Sequence, residues 1–102
     1  MNIYLDDERV PKTDKDWVII RDANSLINLI ISLGTLPDFI SFDHDLGENV
    51  GTGYDVVKSI EYHVLFDLID WNPDFKFFVH SANPVGAKNI QTHLDNLIEH
   101  MK

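Results

Sequence analysis

The chain contains no cysteine. That excludes a disulfide framework, a thiolate nucleophile and a thiolate-bound zinc, so any metal must be held by oxygen and imidazole ligands. Long apolar runs are missing too: none reaches the roughly 18 residues that a membrane helix requires, and Met1 leads straight into an alternating strand rather than a basic leader and apolar segment. A soluble, cytoplasmic protein with no membrane partner is expected. Positive charge is scarce, with 8 lysines and arginines against 17 acids and a formal charge of −9. Such a surface repels nucleic-acid phosphates over about one Debye length, ~8 Å at physiological salt, which argues against a large nucleic-acid interface. A small phosphate ligand remains compatible with this charge, provided that a cation or a few arginines reverse the sign locally.

What is present suits one domain spanning residues 1–102, since a 44% hydrophobic content fills a single core at this length. Asn2-Ile3-Tyr4-Leu5, Trp17-Val18-Ile19-Ile20, Phe39-Ile40-Ser41-Phe42 and Phe75 to Val79 read as short strands. Asp22 or Asn24 can cap a helix that carries Leu26, Ile27, Leu29, Ile30 and Leu33 at helical spacing and ends at Gly34. Thr52 and Asp55 form a capping-box pattern, and the apolar spacing from Val56 to Leu68 predicts a helix to about Asp70, stopped by Asn72-Pro73. Asn83-Pro84 starts a last helix along Ile90, Leu94, Leu97, Ile98 and Met101. The loop after the first strand is too broken by Pro11 to read as a helix.

Strands alternating with helices predict an α/β fold with a parallel sheet, in which ligands bind beyond the carboxyl ends of the strands. Asp6-Asp7, Asp43-His44-Asp45 and His80-Ser81 each follow a strand immediately, so three remote segments converge on one edge. Any one of these aspartates can be a turn-former. Crowded together, they repel unless a cation neutralises them, which points to Mg²⁺ or Mn²⁺ on Asp6, Asp7, Asp43 and Asp45. His44 and His80 sit inside the clusters as candidate acids, bases or ligands, whereas His63, His93 and His100 fall on helices. Arg9 and Arg21 are candidate phosphate forks, with salt bridges to nearby acids as the competing reading. Ser81 and Asn83 lie at a helix start that offers N–H donors to a phosphate. The Gly47–Gly53 loop matches no phosphate-binding fingerprint and reads as a lid or turn, and Phe75, Phe77 and Phe78 read as core strand.

At Asp6-Asp7, Asp43 and Ser81 the chain resembles the receiver domain of two-component response regulators. It departs from that family in lacking a helix between the first two strands and a fifth strand with its lysine. More closely, Leu5-Asp6-Asp7-Glu8-Arg9, Ser41-Phe42-Asp43-His44-Asp45-Leu46-Gly47, Thr52-Gly53-Tyr54-Asp55 and His80-Ser81-Ala82-Asn83-Pro84-Val85-Gly86-Ala87 resemble the cyclic-phosphate-processing receiver domain.

The resemblance implies a receiver-like, flavodoxin-like fold of two or three layers with a truncated, about four-stranded parallel sheet in the order 2-1-3-4. Right-handed crossovers then put the first two helices on one face. The final helix, the first long loop or a second copy of the chain in a homodimer is expected to cover the other. The implied activity is a metal-dependent phosphodiesterase acting on a small cyclic-phosphate ligand, with His44, His80 and Ser81 in the chemistry. The competing reading is a non-catalytic cyclic-nucleotide binder, or a degenerate receiver that acts through a protein partner.

Overall fold

The computed structural model describes residues 1–47 and 50–102. Four strands, β1 (Asn2–Leu5), β2 (Trp17–Ile20), β3 (Phe39–Phe42) and β4 (Lys76–Val79), accompany three helices, α1 (Ala23–Leu33), α2 (Gly53–Leu65) and α3 (Pro84–Met101). Every strand pair is parallel and the order is β2-β1-β3-β4, the predicted 2-1-3-4. From β1 the chain moves to one side for β2 and then crosses to the other for β3. The switch point therefore lies where Leu5 and Phe42 end side by side.

Period-two alternation decides which face is buried. Ile3 and Leu5 of β1, with Ile40 and Phe42 of β3, are fully buried against the helices, while Tyr4 and Ser41 point the other way. Leu26 and Ile30 of α1, Val56, Val57 and Ile60 of α2, and Ile90, Leu94 and Leu97 of α3 complete one continuous core.

Because α1 packs on α2 and α2 on α3, all three helices share a single face and the fold has two layers. The expectation that the final helix might cover the second face is thereby corrected. Its apolar stripe is satisfied by α2 and by the inner side of β4. Of the three expected covers, the first long loop reaches only part of that face: Val10, Pro11, Lys12, Thr13 and Lys15 border a cavity of about 760 Å³ over Tyr4, Trp17, Phe39 and Phe78, and Phe78 stays exposed.

The helix ends follow local chemistry. Asp22, not Asn24, caps α1, accepting from the Ser25 N–H at 2.9 Å, and Gly34 takes the left-handed position at φ 73° that closes it. Thr52 and Asp55 form the expected capping box on α2. That helix ends at Leu65, five residues before the predicted Asp70. Asp67 adopts φ 56°, so the chain turns out of the helix and seats Ile69 in the core, leaving Leu68 exposed. The Asn83 side chain caps α3 through the Gly86 N–H at 3.0 Å, with Pro84 in the first turn. Among the described residues no helix is long and apolar enough to cross a membrane.

Candidate active site

Each central residue of the site is the first one past a strand, and each is still held by the sheet's hydrogen-bond ladder. The Asp6 N–H donates to the Ile20 carbonyl (3.1 Å), that of Asp43 to Leu5 (2.9 Å) and that of His80 to Phe42 (2.9 Å). The sheet thus aims three side chains with strand-like rigidity at one edge.

Asp6 is fully buried and its carboxylate is saturated. One oxygen accepts from the backbone N–H groups of Glu8 (3.0 Å) and Arg9 (2.8 Å). The other accepts from Arg9 Nε (2.7 Å) and faces His80 Nε2 at 3.0 Å. Burial pushes this carboxyl upward, but the two backbone donors, then His80 and the Arg9 side chain, outweigh it and hold it below the usual carboxylate range.

An ionised carboxylate only accepts, so His80 Nε2 carries the proton. His80 Nδ1 is then the acceptor for the Ser41 hydroxyl at 2.7 Å. Burial lowers the imidazole's pKa, outweighing the nearby Asp6 carboxylate, and favours this neutral form. The Tyr4 ring stacks on His80 with centroids 4.3 Å apart and an interplanar angle of 3°. Ser41 lies in a motif segment but the sequence gives it no role, and Tyr4 has no motif to announce it. Their only signal is the alternation that puts both on the face opposite the core.

Arg9 joins the buried relay to the surface. Its guanidinium binds Asp6 through Nε and reaches Asp43 through Nη2 at 3.4 Å, with nearly half the side chain exposed. It lines the sheet-face cavity and also a second one of about 620 Å³ at the strand ends, bordered by Asp7, Glu8, Asp43 and Asp45. Gly53 presses the start of α2 onto this floor. A Cβ there would overlap the Asp43 carbonyl oxygen, and the Gly53 N–H donates to the His44 carbonyl at 2.9 Å.

Oxygen and nitrogen atoms of Asp6, Asp43 and His80 lie within 4.8 Å of one another, a spacing that suits a cation. Arg9 already supplies positive charge to Asp6 there, and all the acceptor positions of Asp6 are used. Asp7, Asp43 and Asp45 border the outer cavity with the hard oxygen atoms that Mg²⁺ or Mn²⁺ prefers, but among the described residues only the Asp6, Asp43 and His80 group has ligand atoms at metal-binding spacing.

Other sequence candidates are placed elsewhere. His44 Nδ1 pairs with Asp45 Oδ1 at 2.7 Å, and its ring lies so close to Gly86 that a Cβ on that glycine would overlap it. His44 therefore packs α3 against the site instead of joining the His80 relay. The Ser81 hydroxyl accepts from the Asn83 N–H (3.1 Å), and the Asn83 amide donates to Asp45 at 3.3 Å. Arg21 Nη1 donates to the carbonyls of Arg9 (2.7 Å) and Asp6 (3.2 Å), which commits it to shaping the loop. Within the Gly47–Gly53 loop, residues 48 and 49 lie outside the described residues. Phe78, expected in the core, is exposed on the open face.

Neither a search of curated proteins nor one of solved structures finds a match. The family model for the cyclic-phosphate processing receiver domain matches residues 1–96. With this parallel sheet, its order and the acidic edge where the motifs meet, the chain belongs to the cyclic-phosphate processing receiver domain family.

Proposed function

We propose that the chain is a phosphodiesterase that opens a small cyclic phosphate with the help of Mg²⁺ or Mn²⁺. The observation that carries this reading is the position of Arg9, anchored on a buried carboxylate oxygen that also binds His80, half exposed, and shared by two cavities. A planar guanidinium held in this way can fork onto two phosphate oxygens without first becoming ordered.

His80 is poised to take a proton. Its Nδ1 lone pair is met by the Ser41 hydroxyl, so a proton released by an attacking water can reach the imidazole through Ser41 and return by the same path to the oxygen freed when the ring P–O bond breaks. Asp6, on Nε2, stabilises the imidazolium as it forms and holds the ring in one tautomer. Burial keeps His80 neutral and ready to accept near neutral pH. Ala82, just before the α3 cap, borders the outer cavity, so the positive end of that helix lies close to a phosphate bound there. Held by Asp7, Asp43 and Asp45, the cation would polarise the phosphoryl oxygens and acidify a bound water.

The test is to incubate the chain with Mn²⁺ or Mg²⁺ and a panel of 2′,3′-cyclic, 3′,5′-cyclic and cyclic oligonucleotide phosphates. Turnover of at least one is expected, and His80→Ala should lower it by roughly a hundredfold or more with ligand affinity much less affected. Tight binding with no turnover of any compound would replace the enzyme with a cyclic-phosphate binder.

A further inference from the structure

The open face of the sheet carries an aromatic surface that the hydrolytic chemistry does not require. Tyr4 and Trp17 meet edge to face at 5.5 Å, and Trp17 and Phe39 do the same at 5.7 Å. Phe78, on the neighbouring edge strand, is 59% exposed. A lone exposed phenylalanine needs no explanation, but this one borders the same 760 Å³ cavity as the other three rings, and that volume suits a small-molecule ligand.

The charge around these rings runs against that of the whole molecule. Among the described residues, Arg9, Lys12 and Lys15 line the cavity against one acid, Glu8, although the chain carries 17 acids and 8 basic residues. Lys15 Nζ stands 4.7 Å from the Phe39 ring centroid, so the cation is held directly over the π surface. Aromatic faces rimmed by cations suit a flat, π-rich group that bears negative charge. Arg9, which lines both cavities, closes one end of this one together with Ser41 and His80, so the charged end of such a ligand would lie against the guanidinium that the two cavities share.

We infer that this cavity binds the base of a nucleoside cyclic phosphate, which selects nucleotides over base-free cyclic phosphates. The inference rests on the proposed reaction for the position of the phosphate, but it makes a separate claim about the rest of the ligand. Stacking on the exposed Phe78 and on the Trp17 surface supplies affinity that tolerates any base, since every base has a π face.

Trp17 is one of only two tryptophans, so Trp71→Phe leaves it as sole reporter. In that background, with EDTA present, adenosine 2′,3′-cyclic phosphate should quench the fluorescence saturably. It should bind at least about tenfold more tightly than ethylene phosphate, a cyclic phosphate without a base. Phe78→Ala, and Phe78→Leu as a variant that keeps apolar bulk, should weaken the nucleotide by roughly tenfold while leaving the affinity for ethylene phosphate unchanged.

Equal affinity for the two compounds, or no effect of either Phe78 variant, overturns the base site even if both compounds are hydrolysed. Nucleotide binding that Phe78→Ala weakens, without turnover of any compound, keeps the base site and removes the hydrolase. Sedimentation showing a dimer whose formation masks Trp17 from the nucleotide would assign the face to a second copy of the chain and overturn the inference.

Discussion

Replacing Asp6 with asparagine removes the charge at the centre of the site while keeping its shape. The asparagine oxygen can still accept from the Glu8 and Arg9 N–H groups, but its amide group then faces Arg9 Nε and His80 Nε2, both donors in the wild-type chain. His80 can escape by moving its proton to Nδ1 and donating to Ser41. Arg9 Nε cannot, because a guanidinium has no acceptor.

One charge-assisted bond is lost, at about 1.5–3 kcal/mol, and the two backbone bonds weaken; relief from burying a charge offsets part of this. The net cost should be about 2 kcal/mol, or a melting temperature lowered by about 8–16 °C for a domain of this size. Thermal denaturation at pH 7 in EDTA isolates the effect from any metal. Arg9→Ala combined with Asp6→Asn should cost less than the sum of the two changes, since both remove the same bond. If Asp6→Asn melts within about 2 °C of the wild type, the saturated carboxylate is not what holds this edge together, and the account of Arg9 as an anchored fork fails.

The remaining expectations concern the metal, the first helix and the α2 start. Millimolar Mn²⁺ should raise the melting temperature of the wild type; Asp7→Asn and Asp43→Asn should each reduce that rise, whereas Asp67→Asn, in the turn after α2, should not. No stabilisation of the wild type by Mn²⁺ would remove the metal from the proposed reaction. Ser25, through its side chain and N–H, holds the Asp22 carboxyl below the usual range, so the cap's contribution is fully present above the unfolded-state pKa and is lost as pH falls through the lower folded value. Asp22→Ala should therefore cost about 1 kcal/mol at pH 7, and urea titrations should show the gap to wild type closing in acid. Gly53→Ala, usually favourable in a helix, should instead destabilise by about 1–3 kcal/mol because the new methyl overlaps the Asp43 carbonyl. A melting temperature equal to or above wild type would show that α2 can move off the site freely.

Much of this architecture was legible because short strands announce themselves by alternation and helices by their caps. Asp22, Thr52 with Asp55, and Asn83 with Pro84 lie where the sequence places helix starts, and the strand order follows from a receiver-like chain cut after its fourth strand. The convergence of Asp6, Asp43 and His80 was legible for the same reason, since all three follow strands. The tasks of the individual side chains were not. Arg9 and Arg21 look alike in the sequence, yet one bridges two carboxylates and the other binds two backbone carbonyls. His44 and His80 both follow strands, but a single step in register turns one towards Gly86 and the other towards Asp6. The early end of α2 escaped detection because Leu68 continues the helical spacing; only tertiary packing shows that Ile69 is the residue worth burying.

The loop between β1 and β2 has an architectural consequence of its own. Among the described residues, the hydrophobic core takes nothing from positions 10–16, which are tied down at one end by Arg21 on the Arg9 carbonyl and at the other by the Trp17 Nε1 bond to Thr13 at 2.9 Å. A segment held only at its ends can change length and composition without disturbing the sheet, since each doubling of a loop adds only about 0.6 kcal/mol of closure entropy. This loop supplies one wall of the ligand cavity, while the strands supply the acids and the imidazole. Grafting a different loop between Arg9 and Trp17 should therefore retune which molecules enter while leaving the reactive edge in place, a modular division that makes this short stretch the natural target for redesign.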